Sequence, residues 1–587
     1  MITIDTVRIS GFRGIKRLEI TLAPTTILIG TNNAGKSSIL KALQLALGDY
    51  GRYLSEEDFF IDPADIRTSE ILIDLRIKPL SGNSTSGNFS NSWTLEFSDH
   101  IKQEANGDQF LALRTKVVPD DTKGGFEVNR HTLESWVEFD SWPAQRIKET
   151  KLSSRFQSIP LIPIEAQRDI HYELKEKTSF VGKVLSSIKY KQEHIASLET
   201  LIRQTNDLAI EQSAELSSLK KHLNTLSKSF NGNGTTELTP FPKKIRDLSK
   251  NFTVHFGESR QTFSMEYHGM GTRSWASMLT VKAFTEMTSL RHSEEEEPFF
   301  PIIAAEEPEA HLHPNAQRTL FKQLSETLGQ KIISTHSPYL AGMADIMSVR
   351  SLRRTSDGCV ASQLLYQITI EERNILAREV INKRAELLFA RAVILCEGIT
   401  EEQILPAMFE IFCKENLHEL GISCVSVGGK NYSPYIKLAC SLGIPTVVIS
   451  DNDGSTKTEI SAQLRRIKKD TKLLLENDCF EIFYLNENND FEAELLEINR
   501  LRPEIVDSLV MCETKGSDNE RYKSSKLREI SAKPDEEIIQ LMRTNKASYA
   551  GYLGEILIKN PNQHEVNRLL PKAVLEAFTV IKEWFQE

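Results

Sequence analysis

The chain has 587 residues, 40% hydrophobic and 26% charged, with a formal net charge of −10. That length is too great for one hydrophobic core and implies two to four domains of ordinary soluble globular composition. No apolar run approaches the ~20 residues of a membrane helix and the N-terminus has no signal-peptide core, so a membrane partner is not expected; the acidic balance means that any nucleic-acid contact needs Lys and Arg gathered on one face.

Residues 1–47 read strand, strand, strand, glycine-rich loop, helix. TVRISGF and LEITL are strand-like, the TILI run at 26–29 ends in Gly30, and Lys36–Leu47 has helical apolar spacing. The loop Gly30-Thr31-Asn32-Asn33-Ala34-Gly35-Lys36-Ser37 fits G-x-x-x-x-G-K-[ST]. Backbone N–H groups of such a loop cradle phosphates, the lysine reaches the β and γ phosphates, and the hydroxyl holds Mg²⁺. Asn32, Asn33, Gly35, Lys36, Ser37 and Ser38 are therefore the candidate nucleotide ligands. From Ile71 to about Glu138 the runs ILIDLRI, WTLEF and FLALRTKV alternate with turn-rich linkers and predict an antiparallel β lobe. Residues 171–255 change to helical apolar spacing without proline up to NGNGTT at 231–236, which predicts a projecting helical hairpin that packs or dimerises.

Strand-like runs resume at Phe299–Ala305, ending in Glu306-Glu307, and in KIISTHSP, ending in His336. A strand that delivers two adjacent acids is a Walker B arrangement, in which Glu306 supports Mg²⁺ and Glu307 polarises the attacking water; Glu306 stands where Asp is usual. His336 is placed to meet a γ-phosphate, and Gly269-Met270-Gly271-Thr272-Arg273-Ser274 reads as a short loop before a helix. His311 and His313, beside a proline, read as structural parts of the loop after the acids rather than as metal ligands.

The order of phosphate loop, GMGTRS, AAEEPEAHLHP and STHSP, with GFRGI and its Arg13 at the start, resembles the ABC-type ATPases of the SMC and RecF class. That resemblance implies an ATP sandwich between two subunits, with Gly271 and Ser274 acting across a dimer and Gln167, in PIEAQRD, as the Q-loop residue.

After a charged connector (353–385), AVILC, ISCVSV, PTVVIS and FEIFYL alternate with helical stretches and predict a parallel α/β sheet. Each acidic group follows a strand: Glu397 and Glu401 after AVILC, Asp451 and Asp453 after PTVVIS, and Glu492 or Glu494 after FEIFYL, with Glu492 preferred as nearer the strand end. Carboxylates at strand C-termini suit Mg²⁺ or Mn²⁺, and two such ions would clamp the attacking and leaving oxygens of a phosphodiester.

The strings CEGITEE, VSVGGK, SDNDG and NDFEAEL resemble the Toprim domain of OLD-family ATP-dependent endonucleases, which include the Gabija-type and retron-linked antiphage nucleases. The resemblance covers residue 1 to about 560 and implies an α/β chain: an ABC/SMC-like ATPase with a β-rich lobe and a helical dimerisation insert, then a C-terminal Toprim domain. The expected boundaries are 1–170, 171–255 and 256–380 for the two ATPase parts and the insert between them, and 385–587 for the Toprim domain with its helical tail. Glu397, Asp451, Lys546 and Glu307 are the expected catalytic residues, with Lys546 in RTNKASYAGYL inferred from the family's late lysine and Lys430 a weaker phosphate contact. ATP and Mg²⁺ (Mn²⁺ or Ca²⁺ in the Toprim site) are the expected cofactors. The expected partners are DNA, a second copy of the chain or a larger homo-oligomer, and a separately encoded helicase-like protein or retron nucleic acid. A RecF- or SMC-like clamp without nuclease activity uses the same ATPase motifs but leaves the acids unexplained; a topoisomerase would need a tyrosine nucleophile on a DNA-binding domain that the sequence does not offer. The seven cysteines are scattered without a C-x-x-C pair, which points to reduced thiols in a cytoplasm and no structural zinc.

Overall fold

The computed structural model describes residues 1–587 except 63, 65, 83–84, 121–123, 167–190, 230–254, 259–260, 265–266, 356–357, 365–367, 471–479, 499, 516–518, 560–568 and 587. The chain divides into two compact units: Met1–Thr25 with Ser37–Thr335, and Thr26–Lys36 with His336–Glu587.

In the first unit, strands Ile2–Phe12, Ile15–Thr21, Ile71–Pro79, Gln109–Pro119, Phe126–Leu133 and Glu149–Lys151 form a seven-stranded antiparallel sheet with the short Lys102–Gln103 strand. The expected β lobe is present, and the first two strands of the chain belong to its sheet. Ile71–Pro79 is buried along nearly its whole length, so its one acid needs a partner. Asp74 has two: Arg114 donates through Nε and Nη2 at 2.8 and 2.6 Å, and Trp142 Nε1 donates at 2.7 Å.

WTLEF is not a strand but lies in the helix Asn91–Phe97. Trp93 and Phe97, four apart, are buried and stacked at 5.1 Å while Leu95 between them is 82% exposed, a helical period that alternation had mimicked. Leu161–Ile164, Ile302–Glu306 and Gln330–Ser334 run parallel, with Ala304 opposite Ile332 and Ile303 opposite Ile162. Helices Gln192–Gln212 and Ala214–Ser229 meet at Ser213, whose Oγ accepts from Leu216 N. The remainder of the expected hairpin lies outside the described residues.

In the second unit, Ile27–Gly30 pairs in parallel with Val349–Leu352, and Val349–Thr355 in turn pairs antiparallel with Gly358–Gln363. A separate parallel sheet runs Ile422–Ser426, Ala392–Cys396, Thr446–Ser450, Phe480–Tyr484 in spatial order, matching the four strands expected from the sequence to within a residue or two. Helices Ile399–Cys413, Ser433–Leu442 and Thr456–Asp470 alternate with these strands. The helix Ile399–Cys413 buries Ile404, Met408 and Phe409 in one core with Leu553 of Lys546–Lys559 and Phe578 of Lys572–Gln586, and the Phe409 and Phe578 rings meet edge-on at 5.1 Å. At ~1.5–3 kcal/mol per large side chain buried, this packing fixes the C-terminal helices against the sheet. No described helix is long and apolar enough to cross a membrane, and the six described cysteines are free thiols.

Candidate nucleotide site and acidic centre

The phosphate loop is shaped by backbone. Gly30 has φ +146°, and a Cβ there would lie 2.3 Å from the Leu352 carbonyl oxygen, so only glycine fits between the strands. Asn33 (φ 65°) and Gly35 (φ 102°) carry the chain through left-handed conformations into Lys36–Leu47, whose first turn holds no acid. Lys36 is buried, and its Nζ donates to the carbonyls of Gly30 at 2.7 Å and Thr31 at 2.9 Å. Thr31, Asn32, Asn33 and Ser37 are exposed and Ser38 half-buried. An exposed loop opening onto a positive helix end, with a lysine held on the loop's own carbonyls, fits a polyphosphate. Cys359 Sγ donates to the Ala34 carbonyl at 3.0 Å, and burial pushes its thiol up to about 11.

The paired acids end the strand Ile302–Glu306 as expected. Glu307 adopts φ 41° and its N–H donates to Ser334 O at 2.9 Å, so the chain turns between the two carboxylates. Both are half-buried. Gly269-Met270-Gly271 is not a loop ahead of a helix: the helix Met270–Glu294 starts inside it, with Gly269 as its N-cap. A Cβ on Gly271 would sit 2.5 Å from His311 O, and Ser274 is buried. His313 caps the helix Pro314–Glu326 by accepting from Asn315 N, the structural role expected of it. His336 is exposed, one residue after Thr335, whose hydroxyl donates to Glu309 at 2.6 Å. Gln167 lies outside the described residues.

The acidic centre is built from the C-terminal ends of the second unit's parallel strands. Glu397 follows Ala392–Cys396, and its carbonyl accepts from Gly429 N at 3.0 Å and Ser426 Oγ at 3.2 Å. Glu401, in the first turn of Ile399–Cys413, accepts from Gly398 N at 3.2 Å, and a Cβ at position 398 would lie 2.9 Å from its Oε2. Asp451 follows Thr446–Ser450. Its loop is stitched to the next one by Asn452 N to Asn489 O, Asn488 N to Asn452 O and Asn452 Nδ2 to Leu485 O, all near 3 Å. Glu492, 1% exposed, accepts from Thr400 Oγ1 at 2.9 Å and lies 3.6 Å from Lys546 Nζ. Glu494 is taken up elsewhere: it accepts from Asn486 N and Asn489 Nδ2 and pins the loop.

The electrostatics follow from burying so many acids together. Burial, then Glu401, Glu397, Asp490 and Glu492, pushes Asp451 up to about 9. Burial and Glu492 push Glu401 to about 7, and Glu397 is raised by burial, with Asp453 and Asp490 adding to it. Asp453 is the exception, held below the ordinary carboxylate range by Thr456 Oγ1 at 2.6 Å and then by Lys430 at 3.0 Å. Glu397 Oε2 and Asp451 Oδ1 are buried with no hydrogen-bond partner among the described residues. Two orphaned hard oxygens inside an acid cluster fit a divalent cation.

Three residues of this centre were not singled out from sequence. Arg543 pairs with Asp490 at 2.7 Å, Thr400 holds Glu492, and Tyr549 is fully buried with its hydroxyl raised by burial and then by Glu492 and Glu401. Tyr549 lies one turn after Lys546 on the helix Lys546–Lys559, a spacing the sequence offered, whereas Arg543 belongs to the preceding helix Asp535–Thr544 and had no such signal.

A phosphate loop opening onto a helix, joined in one chain to a parallel sheet with clustered acids at its strand ends, defines a P-loop ATPase fused to a Toprim-type centre. The chain belongs to the AAA ATPase domain family, whose model matches residues 2–341. The family model of the Overcoming lysogenization defect protein-like TOPRIM domain matches residues 388–453, which include Glu397, Glu401, Asp451 and Asp453. The chain is 26% identical over 480 residues to the Old nuclease of Escherichia phage P2, covering 77% of each protein. It is 22% identical over 464 residues to the OLD nuclease of Thermus scotoductus (76% of this chain, 81% of that protein). To Endonuclease GajA of Bacillus cereus it is 21% identical over 460 residues (77% and 75%). Among solved structures, the C-terminal region of the Burkholderia pseudomallei OLD protein matches at 22% identity and TM-score 0.24, covering 33% of this chain and 98% of that one. The resemblance drawn from the motifs therefore holds: the protein is an enzyme that joins an ATPase module to an OLD-like Toprim nuclease module.

Proposed function

We propose that the chain is an ATP-hydrolysing, divalent-metal-dependent DNA endonuclease acting in antiphage defence or DNA processing. The observation that carries this reading is the buried acid cluster with orphaned oxygens on Glu397 and Asp451. Bound there, Mg²⁺ or Mn²⁺ supplies Lewis acidity to the phosphodiester oxygens. Glu397, Glu401, Asp451, Asp453 and Glu492 hold it. Asp451, pushed up to about 9 by burial and the neighbouring acids, would bind a cation as its carboxylate, so metal affinity would rise with pH. Lys546, 3.6 Å from Glu492, donates to a phosphate oxygen as negative charge builds up.

In the ATPase module Lys36, Ser37 and the loop N–H groups take the triphosphate, Glu306 its Mg²⁺, Glu307 the water, and His336 the γ-phosphate. Two heads close over nucleotide, with Gly271 and Ser274 acting across the dimer; Ser274 is buried in the single chain, so closure would have to uncover it. The boundaries 1–170, 171–255, 256–380 and 385–587 are the working division into modules.

The test is a plasmid-nicking assay of wild type and Asp451→Ala with Mg²⁺ or Mn²⁺, with no nucleotide, ATP or a non-hydrolysable analogue. Cleavage by wild type alone supports the reading. Intact DNA in every lane with ATP-dependent DNA retention overturns it in favour of a clamp.

A further inference from the structure

The net charge of −10 leaves open how a DNA strand reaches an acidic centre that repels it. The helix that follows Asp453 reverses the balance locally. Thr456–Asp470 contains Lys457, Arg465, Arg466, Lys468 and Lys469 against Glu459 and Asp470. Thr456, Ile460 and Ile467 are buried and fix the inner face. Lys457, Ser461 and Arg465, at i, i+4 and i+8, therefore share one outward stripe, with Lys457 and Arg465 exposed. Glu459 lies off that stripe and is engaged by the Ser455 hydroxyl. Among the described residues no carboxylate pairs with Lys457, Arg465 or Arg466, whereas Lys430, Arg543 and Lys546 each sit on an acid of the centre.

Tyr484 orients the stripe. It ends the strand Phe480–Tyr484 directly opposite Ser450, the residue before Asp451. Lys457 Nζ stands 5.4 Å from its ring centroid, a cation–π distance, and its hydroxyl bonds Ser461. The stripe begins beside the acidic centre and runs about 12 Å from Lys457 to Arg465 at 1.5 Å per residue. That is the rise of roughly three to four nucleotides at ~3.4 Å each.

We infer that Lys457, Ser461 and Arg465 form a track for the DNA phosphate backbone that delivers a strand to the acidic centre, with Tyr484 as the residue that positions Lys457. The inference rests on the proposed DNA endonuclease reading and names the surface by which it takes its substrate. Unpaired cations on a fixed helix face complement a phosphodiester chain and read no sequence, so the track serves affinity and register rather than specificity.

The test is fluorescence anisotropy of a labelled 30-base-pair duplex with the full chain in chelator, where binding is read apart from cleavage. K457A/R465A is expected to weaken binding about tenfold at ~100 mM salt and to lower the slope of log K against log salt by about 2, one phosphate contact per cation. Tyr484→Leu is expected to weaken binding about threefold with the slope unchanged, since the charge count is unaltered. Thermal melting and ATP hydrolysis of K457A/R465A should match wild type, which separates a lost track from a lost fold. Unchanged affinity and slope in K457A/R465A, or a wild type that binds no duplex, overturns the track. A wild type that never cuts DNA but shows the expected slope change sinks the nuclease reading and leaves the track standing.

Discussion

The phosphate loop and the acidic centre solve opposite electrostatic problems. At the loop, one buried cation, Lys36, is satisfied by two backbone carbonyls, and the shape is set by Gly30, Asn33 and Gly35 within six residues. At the centre, Glu401 and Glu492 are buried beside the half-buried Glu397 and Asp451, and the fold tolerates them through raised proton affinity at Asp451 and Glu401 and through three cations from Lys430 to Lys546. The first site is organised by local backbone and is ready-made. The second is organised by packing and holds repulsion that a ligand relieves.

The sharpest way to break this comparison is Asp451→Ala. Metal-dependent cleavage should fall more than about 100-fold, beyond the loss produced even by outer-shell partners of metal ligands, while ATP binding is unchanged by titration calorimetry. Next is Lys36→Ala, which should weaken ATP binding about 10- to 100-fold, the scale of a charge-assisted hydrogen bond, and leave Mg²⁺-dependent Toprim chemistry assayable without nucleotide.

The stored repulsion itself is visible in pH dependence. Asp451 and Glu401 have folded-state values raised to about 9 and about 7, so above the ordinary carboxylate range the folded chain holds more protons than the unfolded one. Their contribution to stability is then full below about pH 4 and is lost as pH rises through 7 and 9. In chelator, the melting temperature should fall from pH 6 to pH 9, and Asp451→Asn should flatten that fall and raise the melting temperature at pH 8. A flat wild-type profile would show that the acids are not mutually buried. Among the smaller effects, Gly271→Ala should cost about 1–3 kcal/mol in denaturant titration, because its Cβ meets the His311 carbonyl.

Much of the fold was legible wherever a strand and its function share a short stretch of sequence. The phosphate loop, the strand ending in Glu306 and the four Toprim strands were all read from apolar runs closed by Gly or acid. WTLEF was misread because Trp93 and Phe97, four apart, bury one helical face while Leu95 between them is exposed, a pattern that five residues alone do not separate from alternation. The choice between Glu492 and Glu494 was open in sequence because both lie in the same short helix. The structure separates them through partners from other elements, Thr400 for the first and Asn486 with Asn489 for the second. Arg543 and Tyr549 escaped for the same reason: their connection to the centre is made by helices that pack only after the chain folds.

The phosphate loop's own strand has a further consequence during synthesis. Ile27–Gly30 pairs with Val349–Leu352, more than three hundred residues later in the chain. Contacts at such separation form slowly and late. On a translating ribosome the loop therefore emerges early but cannot complete its pairing with Val349–Leu352 until residue 352 has left the exit tunnel. Until then the strand that carries Leu28 and Ile29, both fully covered in the finished protein, has one edge without its final partner. A fragment ending at residue 335 would lack that pairing strand altogether. An ATPase fragment designed for expression must therefore extend beyond Leu352, although every nucleotide-binding motif up to the paired acids is complete before residue 310.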